Sequence, residues 1–304
     1  MTIDLSQRKL GLAAALSSYV IWGAMSIYYS WLTAADPWEV VAHRVLWSLL
    51  FVPLWLLVNG RLPEMLRLGA GFFRNRREVL VLLTAAGACA LNWFINVYAV
   101  MSHQVVELGI WTFLTPLISV SLGVLIYKES LSRVKKAGVL LAALGVMVMI
   151  AGFGQIPWVA LGVSMSWGVY GALKKAITLP AQISIVFEGL LMMPFAAAYL
   201  VWLSLQGQSH FSLSADPVLS LALLGTGIAA TIPMILFSKA TQLLPMAILG
   251  FCQYLAPVLT LLIGIFFFGE GIGAEKGLSL AFILAGIVTF SVCEVKELAA
   301  AKSI

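Results

Sequence analysis

Residues 116–129 read PLISVSLGVLIYKE and residues 257–270 read PVLTLLIGIFFFGE. Both follow the pattern Pro-x6-Gly-x5-Glu, so a shift of 141 residues lays Pro116, Gly123 and Glu129 on Pro257, Gly264 and Glu270. The same shift lays Pro53 on Pro194, Ala99 on Ala240 and Leu108-Gly109 on Leu249-Gly250. At a shift of 145, Ala15-Leu16-x5-Trp22-Gly23 meets Ala160-Leu161-x5-Trp167-Gly168, the change of four being absorbed in the first connection. One such match is unremarkable in an apolar chain; several at nearly one offset are not. The chain therefore reads as two copies of one unit, residues 1–152 and 153–304, forming one integrated transmembrane domain.

Each copy is built of membrane-spanning helices. The chain of 304 residues is 62% hydrophobic and 10% charged, where a soluble domain has about 25% charged residues. Apolar runs long enough to cross about 30 Å of hydrocarbon fall near 10–32, 36–58, 78–100, 105–127, 133–152, 156–174, 181–204, 217–239, 246–268 and 275–295. A backbone in lipid must satisfy its own hydrogen bonds, so these runs are expected to be helices. The expected fold is an all-α polytopic membrane protein of ten transmembrane helices. Five spans per copy is an odd number, so the second copy is expected to run through the membrane in the opposite sense. Inverted repeats of this kind surround a mid-membrane site in many secondary transporters.

The charges agree with that topology. Of the 18 Lys and Arg residues, all but Arg44 and Lys276 fall on one side when both termini are cytoplasmic, as the positive-inside rule requires. Arg61, Arg67, Arg74, Arg76 and Arg77 lie between spans two and three; Lys128, Arg133, Lys135 and Lys136 join spans four and five; Lys174 and Lys175 follow span six. The net charge of +5 thus reports cytoplasmic loops and no nucleic-acid surface. The first apolar stretch is too long and too aromatic for a signal peptide, and further spans follow it. Cys89, Cys252 and Cys293 lie within spans at no metal-ligand spacing, so neither a disulfide framework, a metal nor a cofactor is implied. The absence of G-x-S-x-G, H-E-x-x-H and G-x-x-x-x-G-K-[ST] speaks against an intramembrane enzyme or a primary pump.

Polar groups in the spans mark the candidate site. A charge at mid-bilayer costs roughly 2.5–3.5 kcal/mol on insertion scales, so such residues face the interior or a water-filled cavity. Arg44 lies eight residues into span two, about 12 Å below the outer surface at the helical rise. Glu188 lies eight residues into span seven, the related span of the second copy. Two readings stand for this pair. In one, Arg44 binds a substrate anion as a bidentate donor and Glu188 engages an ammonium or carries a proton. In the other, Arg44 is structural, paired with Glu188 or with Glu107. Glu107 and Glu39 read as solvated groups near the interface. His43 is a second candidate for proton coupling or a packed histidine.

An aromatic and polar lining is expected around these charges. Tyr19 and Trp22 share a face of span one, and Trp167 and Tyr170 share a face of span six. Asn92 and Asn96 flank Trp93 in span three. Trp111 and Thr115, and Gln253 and Tyr254, precede Pro116 and Pro257. These prolines are expected to kink spans four and nine at mid-span and to serve as gates, with Gly23 and Gly168 permitting close helix movement. A pocket so lined suits a small zwitterionic or anionic metabolite with an apolar or aromatic body.

These residues resemble the EamA family of the drug/metabolite transporter superfamily, and within it the RarD-type permeases named for chloramphenicol sensitivity. The marks are Trp22-Gly23, His43-Arg44 with Trp47-Ser48, Asn92-Trp93, Val106-Glu107, the Pro116/Gly123/Glu129 run, Glu188, Gly250-Phe251-x-Gln253-Tyr254-x-x-Pro257 and Gly269-Glu270. The resemblance covers nearly the whole chain. It implies a ten-helix inverted-repeat fold and transport of small metabolites or drugs, an amino acid among the possibilities, across the cell inner membrane. The sequence departs from the subfamily in span four, where Gly109-Ile110-Trp111-Thr112-Phe113-Leu114-Thr115-Pro116 stands in place of a stretch ending in Asn-Pro. The expected partners are a small-molecule substrate and the lipid bilayer, with the protein a monomer or weak homodimer. A channel-like permease and a non-transporting membrane partner are the competing classes.

Overall fold

A computed structural model describes residues 5–103, 105, 108, 112–153 and 158–269, with 277, 281–282, 284–286, 288–290, 292–293 and 296 beyond them. Its helices are α1 (Leu5–Tyr29, continued by a 3-10 turn over Ser30–Leu32), α2 (Pro37–Val58), α3 (Leu62–Phe72) and α4 (Arg76–Met101). Then come α5 (Leu114–Tyr127), α6 (Arg133–Phe153), α7 (Trp158–Ala176), α8 (Ala181–Leu205), α9 (Pro217–Leu243), α10 (Met246–Cys252) and α11 (Leu255–Phe266). The described residues contain no strand. Six of the helical stretches, counting Met246–Phe266 as one, are long and apolar enough to cross a membrane. Of the tenth expected span, 275–295, eleven residues are described, and all of them are helical.

Local sequence sets several of these ends. Asp36 caps α2 by accepting from the Trp38 backbone N–H, and Pro37 follows it, where a missing N–H leaves no bond unmade. Asp216 and Pro217 repeat the device at α9. Asn75 accepts from Arg77 and Glu78 to start α4. The basic connection after α2 is not a simple loop: it folds into α3, whose Phe72 is buried with its ring 5.2 Å from Phe187 of α8.

The helices pack in a criss-crossed set. α1 lies against α9 and α11, while α7 lies against α4 and α5; α2 meets α8 and α9, and α5 meets α10. Small residues set two of these distances. A Cβ on Gly23 would stand 2.6 Å from the Leu259 Cβ, and one on Gly168 would stand 2.7 Å from Ile118 Cγ2. Ile118 and Leu259 are themselves 141 residues apart, so the two contacts are counterparts. Large apolar side chains such as Leu54, Leu144, Phe195, Leu221 and Phe266 face outward. An apolar outer surface spread over so many helices belongs to a multi-pass membrane protein.

Both prolines lie within their spans: Pro116 is the third residue of α5, and Pro257 the third residue of α11. Phe113 before α5, and Gln253 and Tyr254 between α10 and α11, keep right-handed helical dihedrals, so the chain continues helically while each proline removes one i to i−4 backbone bond. The Gln253 carbonyl that Pro257 cannot engage accepts from the Ala256 N–H at 3.2 Å instead, a tight 3-10 closure.

Candidate functional site

Between the helices lies a cavity of about 730 Å³ including its open mouth. It is lined by Tyr19, Trp22, Met25 and Tyr29 of α1, Arg44 of α2, Asn92, Trp93 and Asn96 of α4, Thr115 of α5, Val163 and Trp167 of α7, and Ala256, Pro257 and Thr260 of α11. Leu108, Thr112 and Gln253 complete it. Of the expected lining residues, Tyr19, Trp22, Arg44, Asn92, Asn96, Thr115, Trp167 and Gln253 are brought together here. Trp111 lies outside the described residues.

The aromatic wall is a continuous stack of contacts. Trp22 meets Trp167 edge-on with ring centroids 4.9 Å apart and Tyr19 at 5.6 Å. The polar wall is partly braced. Asn92 donates to the Val163 carbonyl at 2.8 Å, and Asn96 donates to the Asn92 carbonyl at 2.8 Å and to Asn92 Oδ1 at 3.1 Å. Thr115 donates to Ser164 at 3.0 Å, and Ser119 donates to Gln253 Oε1 at 2.9 Å. The Tyr19 hydroxyl and Gln253 Nε2 are both buried and neighbour one another, without a well-formed hydrogen bond.

Arg44 is 2% exposed. Its guanidinium lies over the Trp93 ring, 3.6 Å from the centroid, and Nη1 donates to the Tyr29 hydroxyl at 2.8 Å. Stacking on the indole face supplies a cation–π attraction. Nε and Nη2 are buried with no partner. Arg44 and Trp93 also line a second cavity, of about 460 Å³, together with Ser48, Cys89, Thr231 and Glu188.

Glu188 does not pair with Arg44. It forms a buried ion pair with Lys174, and its other oxygen accepts from the Tyr170 hydroxyl at 3.2 Å. Ser184 is a further neighbour of the same ammonium. Lys174, expected among the cytoplasmic charges that follow span six, is instead 1% exposed in the last turn of α7, because a buried carboxylate needs a cation and hydrogen bonds within reach. Tyr170 and Glu188 thus form a cluster outside the first cavity. Tyr254 also sits apart from it, buried against Phe113 and Phe251.

Two other polar groups differ from their expected settings. Glu39 is fully buried, not solvated: it accepts from the His210 backbone N–H at 2.8 Å and from Ser209 at 3.1 Å, and it faces the His210 ring. His43 lines neither cavity. Its Nδ1 accepts from Trp47 Nε1 at 3.1 Å, and its ring lies 4.9 Å from Phe211.

Glu129, part of the opening repeat, has a structural job. Its two carboxylate oxygens accept from the Met246 and Ala247 backbone N–H groups at 2.7 and 2.8 Å, capping α10 across the fold. Lys175 stands 3.4 Å away. Sequence reading passed over Tyr29, Trp93, Thr112, Lys174 and Thr260. For Tyr29 and Lys174 a signal existed: at the 145 shift, Tyr29 falls on Lys174.

The family model described as "EamA-like transporter family" matches residues 9–151 and again 156–292. An uncharacterized transporter of Vibrio cholerae is 35% identical over 96% of this chain and 95% of its own. Protein RarD of Salmonella typhi is 32% identical over 95% of this chain and 96% of its own, and the uncharacterized transporter YojE of Bacillus subtilis is 31% identical over 98% and 99%. A solved crystal structure at 18% identity shares the fold over 93% of this chain and 98% of its own, with a TM-score of 0.68. With the family model spanning nearly the whole chain in two successive matches, the protein belongs to the EamA-like transporter family.

Proposed function

We propose that the protein is a secondary transporter of the cell inner membrane that moves a small metabolite or drug-like compound by alternating access. Its termini are cytoplasmic, and its two halves, residues 1–152 and 153–304, are inverted repeats that rock about the first cavity. The observation carrying this reading is the origin of the cavity wall: α1, α2, α4 and α5 supply one part, α7 and α11 the other. A site made by two halves is opened to one side or the other when they tilt. The paired contacts of Gly23 with Leu259 and of Gly168 with Ile118 support hinged or sliding surfaces of the same design in each half.

The test is counterflow in proteoliposomes with amino acids, organic acids and aromatic amines as labelled probes. Saturable exchange driven by the same compound on the far side supports the reading. Flux that stays linear with concentration points to a channel-like permease, and no flux for any probe points to a membrane partner protein.

A further inference from the structure

We infer that the ligand of the first cavity is an aromatic monocarboxylate, an organic anion without an ammonium group. This rests on the reading of that cavity as the transport site and adds the charge of what it holds.

The only ionised side chain among the described lining residues is that of Arg44. Among the described residues no carboxylate pairs with it: Glu188, which shares the second cavity with Arg44, is held by Lys174. Nη1 is occupied by the Tyr29 hydroxyl and one face by Trp93, while Nε and Nη2, the two donors of a single guanidinium edge, are buried and unmatched. Such an edge matches the two oxygens of one carboxylate. A buried cation without an anion is costly, so a carboxylate arriving here removes a standing penalty.

Among the described residues no neighbouring carboxylate is spare; Glu107 lies outside the described residues. Glu188 holds Lys174 and Tyr170, Glu39 holds the 209–210 backbone and side chains, and Glu129 caps α10. An ammonium on the ligand would therefore find no carboxylate among the described lining residues, only rings, amides and hydroxyls. A zwitterion would bury its positive end unpaired, whereas a monoanion balances the site. The body is flat and apolar because Trp22, Trp93 and Trp167 line the cavity together with Arg44.

The experiment is titration calorimetry on the purified full chain with four probes of one shape: 3-phenylpropanoate, phenylalanine, 3-phenylpropanamide and phenethylamine. The propanoate is expected to bind roughly ten- to hundredfold more tightly than the amide, the range for a hydrogen-bonded charge, with phenylalanine weaker than the propanoate and phenethylamine weakest. Arg44→Gln should abolish the preference for the propanoate over the amide, and Arg44→Lys should restore part of it. Equal binding of amide and propanoate, tighter binding of phenylalanine, or no binding of the propanoate overturns the inference. These readings come from the wild type and do not depend on a variant folding. Counterflow of some other compound with no propanoate preference would defeat the inference and leave the transporter standing. Propanoate binding without any counterflow would do the reverse.

Discussion

The ammonium of Lys174 rests on the carboxylate of Glu188, with 1% and 8% of the two side chains exposed. They join α7 to α8. In the first half, Tyr29 and Arg44 join α1 to α2 by a hydrogen bond, and the 145 shift lays Tyr29 on Lys174. Each half thus links its first two membrane helices through one polar pair. In the second half the cation is answered by a carboxylate; in the first half it is answered by a neutral hydroxyl. Of these two pairs, only the one at Arg44 keeps an unbalanced charge.

Breaking the Lys174–Glu188 pair on one side should be severe. Lys174→Met or Glu188→Leu alone leaves an unpaired buried charge and should cost about 3–5 kcal/mol. The double variant should recover most of that loss, because two apolar groups replace two matched ions. Thermal unfolding in detergent decides the matter: a double variant as unstable as the sum of the singles would show that the two residues do not act as a pair.

Pro116→Ala and Pro257→Ala should be mild. Each proline withholds one backbone N–H from its span; at Pro257 the Gln253 carbonyl accepts from the Ala256 N–H instead, so the change in stability should be about 1 kcal/mol or less. A drop of several kcal/mol in either variant would mean that the proline holds a bend that the turn geometry alone does not.

Glu129→Ala should loosen the start of α10. The substitution strips the acceptors from the Met246 and Ala247 N–H groups, a capping loss of about 0.5–2 kcal/mol. Hydrogen exchange at residues 246–250 should quicken while that of α2 stays the same. Unaltered exchange at those amides would count against the cap.

Gly23→Val and Gly168→Val should affect the two halves alike. Each adds carbon where Leu259 or Ile118 already stands within 3 Å of a Cβ, and overpacking of this kind costs about 1–3 kcal/mol. Loss of counterflow in folded protein would accompany it if these contacts move during transport. Full counterflow in both variants would remove the two glycines from the moving surfaces.

Glu39→Ala should free the segment before α9. That segment is held by the Glu39 carboxylate through the His210 backbone, the His210 ring and Ser209. Limited proteolysis near 206–216 should become markedly faster. Cleavage at the wild-type rate would mean that Ser212, Ser220 and the helix packing suffice.

Much of this protein was legible as one-dimensional pattern. Apolar length and Lys/Arg placement located the helices, with α2, α8 and α9 starting within a residue of their expected positions, because span length and caps depend on neighbours in sequence. The shift of 141 to 145 located Gly23 and Gly168, Pro116 and Pro257, and Trp22 and Trp167 of the cavity wall, since related residues in two copies meet related surroundings. Partnership was a different matter. Whether Glu188 met Arg44 or Lys174, and whether Glu39 was wet or buried, depended on which side chains lay within about 3 Å across the fold. Charge pairing and hydrogen bonding decay over that distance, and residues so placed here are 10 to 170 positions apart in the chain. The sequence by itself determined an all-helical membrane protein with a repeated unit and a polar interior. Only the packing of α7 against α4 and α8 against α2 decided that Lys174 neutralises Glu188, leaving one edge of Arg44 without a partner.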